Sequence, residues 1–167
     1  MVLIPQIVDA VAPLPVLAGG GIANGRQMAA AMVMGAQGVW CGSLWLTTNE
    51  SDCVPALVDK MLAAESEHTV RSRCISGKPA RQLITPYTQA WDGPQSPGTL
   101  PMPLQWMATA EAQQRMHRHA QSGKPGSAQL LGTPVGQVVG QMKQRRSVKQ
   151  VVQDMMSECI DALERTR

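Results

Sequence analysis

Residues 15–46, PVLAGGGIANGRQMAAAMVMGAQGVWCGSLWL, decide how this chain is read. Val16, Leu17 and Ala18 form a short apolar run that stops at Gly19-Gly20-Gly21. A helix pattern follows, and a second apolar run, Gly38 to Cys41, stops at Gly42-Ser43. Strands over 16–18 and 38–41 joined by a helix over 25–34 make one βαβ crossover. Asn24 suits the N-cap, Gln27 three residues later permits a capping box, and Gly35 suits the C′ position. The Ala-rich helix centre fits close packing on a sheet. Two parallel neighbours that each end in bare backbone can close on a phosphate, helped by the positive end of the helix. In (β/α)8 barrels the loops after strands seven and eight are a frequent phosphate site.

Outward from this unit, Ile4, Ile7, Val8 and Val11 share one face of a helix over 4–11, which Pro13 and Pro15 end. Val54 to Ala64 reads as a helix with Leu57, Met61 and Leu62 inward. Thr69 to Ile75 reads as extended, and Pro79 to Trp91 as a helix opened by its proline. Residues 92–103 are a Pro-rich loop, Thr109 to Gln121 a helix, and SGKPGS a connector. The last helix opens on a Ser147/Gln150 capping box and turns Val148, Val151, Val152, Met155, Cys159 and Leu163 inward.

The chain has 167 residues, 44% hydrophobic and 16% charged, enough for a packed domain. A net charge of +3, one tyrosine and no phenylalanine argue against nucleic acid. Lys143, Arg145, Arg146 and Lys149 form one basic cluster, read as a solvated helix approach. Cys41, Cys53, Cys74 and Cys159 lack metal or redox spacing. With no signal peptide and no membrane-length apolar run, the expectation is a cytoplasmic protein with free thiols and no membrane partner.

A barrel needs eight strands and roughly 250 residues, yet only two strands are secure here. The fold expected is α/β: the C-terminal portion of a (β/α)8 barrel, its strand-seven and strand-eight region, plus a trailing helical segment. Residues 1–50 are the βαβ part with the phosphate site, and residues 51–167 a mostly helical remainder of the same domain. Met1 then falls inside the helix before strand seven. The open edge of such a half-barrel invites self-association.

The run VLAGGGIANGRQMAAAMVMGAQGVWCGS, with ISGKPAR (75–81) and LPMPLQWM (100–107), resembles the C-terminal half of the nitronate monooxygenases, formerly 2-nitropropane dioxygenases. The resemblance implies an FMN-dependent barrel enzyme that oxidises alkyl nitronates with O2 to a carbonyl compound and nitrite. It places the FMN phosphate between Gly20-Gly21 and Gly42-Ser43, where the Ser43 hydroxyl adds a donor. Trp40-Cys41-Gly42-Ser43 stands where the family commonly has Gln-Met-Gly-Thr. Trp40 is read as a wall of the flavin pocket or a core residue. Cys41 is read as a thiol activated near helix N-termini or a small buried hydrophobe. The implied substrate is a small molecule, a nitronate or an acyl thioester. Enoyl reductase-like and acyl-CoA-acting relatives are alternatives, as is a truncated, non-catalytic half-barrel.

His117 and His119 lie two apart on a helix and cannot share a metal; His68 sits in a polar turn. The family's catalytic histidine lies upstream of strand seven and matches none of the three, so neither a catalytic base nor a metal is assigned. Gly136-Gln137 is a candidate to return near the flavin.

Overall fold

The computed structural model describes residues 2–165; Met1, Thr166 and Arg167 lie outside the described residues. The chain divides into two compact units, Met1–Ser51 with Gln144–Arg167, and Asp52–Lys143.

The first unit holds the crossover. Helix α1 (Leu3–Val11) leads to strand β1 (Leu17–Gly19), helix α2 (Gly25–Val33) and strand β2 (Gly38–Trp40). The strands pair in parallel, Leu17 opposite Gly38, Ala18 opposite Val39 and Gly19 opposite Trp40. β1 begins one residue later than the apolar run suggests. Val16 still contributes, since its carbonyl accepts from Gln37 N at 2.9 Å. One face of the pair is covered: Ala18, Ala31 and Ala36 are buried, with Ile4, Ile22 and Val39 packed on them. Small alanines let the helix lie close to the sheet.

A 3-10 turn (Ser43–Thr47) follows β2. Helix α7 (Val148–Glu164) then packs on α2. Its predicted capping box forms: Ser147 Oγ accepts from Gln150 N, and Gln150 Oε1 accepts from Ser147 N. Val151, Met155 and Cys159 are buried as expected, but Val148 and Val152 are exposed. The buried stripe is one i, i+4 row, because a single helix covers α7 on this side. Arg146 pairs with Asp154 at 2.9 Å and Lys143 with Glu65 at 2.7 Å, so the basic cluster is partly neutralised at the surface.

The second unit opens with α3 (Pro55–Ala63), whose Leu57, Val58 and Met61 are buried. Lys60 Nζ donates to the carbonyls of Ala128, Gln129 and Leu131, closing the end of the short helix α6 (Ser127–Leu130). The segment predicted as one helix over 79–91 is instead strand β4 (Ala80–Leu83) followed by helix α4 (Pro86–Asp92). β4 pairs antiparallel with β3 (Thr69–Ser72), Thr69 opposite Leu83. The proline that starts the helix is Pro86, not Pro79. Thr85 before it is extended, as a residue preceding proline prefers, and caps through a Thr85/Thr88 box.

Helix α5 (Leu104–Gln121) begins five residues earlier than expected, so part of LPMPLQWM is helical. The two motifs of this unit close on each other. A Cβ on Gly77 (φ +83°) would overlap the Leu100 carbonyl and Met102 N. Fully buried Gln105 donates to Cys74 O at 2.9 Å and accepts from Leu100 N at 3.0 Å. Gly136 caps a second 3-10 turn (Gln137–Gln141). The four cysteines form no disulfide among the described residues. Among the described residues no helix is long and apolar enough to cross a membrane. Among the described residues no group of three or more His, Cys, Asp or Glu is placed to hold a metal.

Candidate functional site

The glycine turns occupy the C-terminal ends of β1 and β2. Gly20 (φ +96°) and Gly21 (φ +74°) are successive left-handed residues, a conformation that side chains resist. Glycine permits this turn and leaves its backbone N–H groups with no side chain over them. Gly42 follows β2 and caps the 3-10 turn with φ −112°. A Cβ at Gly20, Gly21 or Gly42 would meet nothing within 4 Å. The space over both turns is therefore unfilled by protein, and the residues present fit a phosphate group.

The helix N-terminus expected to assist is already satisfied. Gly25 N donates to Glu158 Oε2 at 2.9 Å, and Gln27 N donates to Asn24 Oδ1 at 3.0 Å. Gln27 Oε1 accepts from Ala23 N at 2.7 Å, a reciprocal bond from the first turn back to the residue before the cap. A carboxylate at a helix start is stabilised by the same dipole that would attract phosphate. Glu158 thus takes that role at the start of α2. Glu158 and Gly25 are 133 residues apart, and no local pattern announces their meeting.

Trp40 is 71% exposed in this chain. It shares a sheet face with Leu17, 55% exposed. Each has a glycine across the strand, Gly19 opposite Trp40 and Gly38 opposite Leu17. This face is opposite to the helix-covered one, so it corresponds to the side that points into the interior of a barrel.

Cys41 is half-buried, and burial pushes its thiol above the ordinary value. Desolvation favours the neutral thiol over the thiolate at this position. The Cys41 carbonyl accepts from Trp45 Nε1 at 2.6 Å, which pins the turn that carries Gly42 and Ser43. His68 accepts from Glu65 N through Nδ1 at 2.9 Å, a turn-capping role.

The nitronate monooxygenase family profile matches residues 1–158. The chain is 54% identical over 165 residues to the Mycobacterium tuberculosis protein Rv1533, named a monooxygenase, covering 98% of this chain and 44% of that one. It is 32% identical over 160 residues to a Bacillus subtilis protein named as a nitronate monooxygenase, covering 96% and 44%. Among solved structures, FabK from Thermotoga maritima superposes with TM-score 0.73 at 30% identity, over 99% of this chain and 50% of that one. The nitroalkane oxidase of Streptomyces ansochromogenes superposes at 0.80 with 24% identity, over 99% and 45%, a likeness of fold alone. The chain spans less than half the length of these curated relatives. Its architecture is α/β, the C-terminal portion of a (β/α)8 barrel with a trailing helical segment. With a profile match over nearly the whole chain behind it, the chain belongs to the nitronate monooxygenase family.

Proposed function

We propose that this chain supplies the phosphate-gripping part of an FMN-dependent oxidoreductase of the nitronate monooxygenase type. The observation that carries the reading is the left-handed pair Gly20-Gly21 beside Gly42-Ser43, at the ends of adjacent parallel strands, with open space over all three glycines. Family membership supports an oxidoreductase at the level of the family. In this reading the backbone N–H groups of Gly20, Gly21 and Gly42 hold the FMN phosphate. The Ser43 hydroxyl donates a further bond. Trp40 walls the ring with apolar surface. Cys41 stays a neutral thiol at the turn. Bound FMN would accept an electron from an alkyl nitronate, the conversion with O2 ending in a carbonyl compound and nitrite. No residue of this chain is assigned as catalytic base.

A second reading keeps the flavin and changes the substrate. The likeness to FabK and an exposed indole at position 40 favour an enoyl reductase-like or acyl-thioester reaction with a nicotinamide reductant. A third is a non-catalytic half-barrel that self-associates through its open barrel edge. The test is the visible spectrum of the purified chain after loading with FMN and desalting. Retained flavin with peaks shifted from free FMN supports phosphate gripping. Bleaching by NADH but not by a nitronate then favours the second reading. A colourless protein overturns the claim that these turns suffice to hold FMN.

A further inference from the structure

The second unit carries a pocket of about 520 Å³ that the flavin reading leaves unused. Arg71, Arg73, Trp91 and Asp92 line it, together with Ser72 and the Gly98-Thr99 stretch. Arg71 lies on β3 and Arg73 just beyond its end. The turn that begins at Arg73 still leaves both arginines lining the same pocket. Both are exposed, and neither forms an ion pair among the described residues. Trp91 is braced from one side by Tyr87, edge to face with ring centroids 6.4 Å apart. Asp92 is fixed as an acceptor: its Oδ1 accepts from Ser72 Oγ at 2.8 Å.

Three chemical demands follow. Two unneutralised guanidinium groups call for an anion able to accept from both. A carboxylate in the same pocket opposes a bare phosphate, and calls for a hydroxyl or amine donor on the same ligand. A braced indole offers a flat face on which an aromatic ring stacks. A purine nucleotide combines a phosphate, a ribose diol and a planar base, and a pocket of this size is in the range that takes small ligands. We propose that the pocket binds a purine nucleoside phosphate: the phosphates on Arg71 and Arg73, the ribose hydroxyls on Asp92, the base on Trp91. The inference does not depend on the flavin reading, because every lining residue lies in the second unit. Such a nucleotide comes either as half of a redox dinucleotide or as the handle of an acyl-carrying thioester.

Isothermal titration of the purified chain with ADP tests this, with inorganic pyrophosphate as the bare-anion control. Saturable binding of ADP, at least tenfold tighter than pyrophosphate, is expected. Arg71→Ala and Arg73→Ala should each weaken it by about tenfold, and Trp91→Leu by a similar factor. Both arginines are exposed, so their removal leaves the fold intact, as circular dichroism will check; they decide the matter even where the Trp91 variant misfolds. ADP-ribose binding more tightly than adenosine 3′,5′-bisphosphate supports the dinucleotide source, and the reverse supports the thioester handle. Absence of saturation to roughly 1 mM ADP, an affinity unchanged in the double arginine variant, or pyrophosphate binding as tightly as ADP overturns the proposal.

Discussion

Glu158, on the last helix of the chain, accepts from the backbone N–H of Gly25 at 2.9 Å and so closes the start of α2. A Cβ on Gly25 would overlap Met155 O and Cys159 N, so the helices cross here in backbone contact. Glu158→Ala removes a charge-assisted bond from an exposed side chain and should cost about 1 kcal/mol. Gly25→Ala forces the helices apart and should cost about 3 kcal/mol. Urea unfolding of both variants checks the order; equal costs would mean that the close approach is not tight.

The phosphate reading separates Gly42 from Gly21. Gly42 has φ −112°, so Gly42→Ala fits the backbone and should change stability by under about 0.5 kcal/mol. Its methyl enters the space assigned to the phosphate, and FMN affinity should fall by about tenfold or more. Gly21→Ala also loses FMN but adds roughly 1–2 kcal/mol of left-handed strain. FMN retention with thermal unfolding on the same samples distinguishes the two. Unchanged FMN affinity in Gly42→Ala would remove the turn from the site.

Gln105 is the clamp between the two motifs of the second unit. Gln105→Leu keeps the volume and strands Cys74 O and Leu100 N without their partner. A loss of about 2–4 kcal/mol is expected in chemical denaturation, a large share of a domain's stability. A loss below about 0.5 kcal/mol would show that the loop relaxes to satisfy both groups.

Burial raises the Cys41 thiol, so the proton is held more tightly in the folded chain. The thiolate fraction at neutral pH is then smaller than for a free cysteine, and alkylation of Cys41 should be slow. Its rate should climb with pH to an inflection above the ordinary thiol range. The sign for stability follows: this contribution is present below the unfolded thiol's pKa and is lost as pH rises through the folded one. Mass-resolved iodoacetamide labelling from pH 7 upward gives the profile. Fast labelling at pH 7 would mean an activated thiolate instead.

Leu17 and Trp40 give one sheet face an apolar surface open to solvent. Self-association through it should appear as a concentration-dependent sedimentation coefficient. Leu17→Ser with Trp40→Ser should abolish it without unfolding, since neither side chain contributes to the alanine-lined core. Persistent association in the double variant would assign it to another surface.

What was legible in the sequence was local. The crossover, the Asn24 and Ser147 caps and the glycine turns came through because strand, helix and turn each write their period and punctuation into adjacent residues. The β3–β4 hairpin did not, since Ala80 to Leu83 become a strand only by pairing with Thr69 to Ser72. The same holds for the partner of Gly25, the clamp at Gln105 and the arginine pair beside Trp91. The exposure of Trp40, Val148 and Val152 was likewise out of reach, because apolar periodicity states which residues share a face and not whether another element covers it. The sequence by itself determined the family, the glycine turns and the order of the first unit's elements. Only the tertiary structure decided that the start of α2 is closed by a carboxylate of the same chain, because that depended on Glu158 arriving from the far end of the sequence.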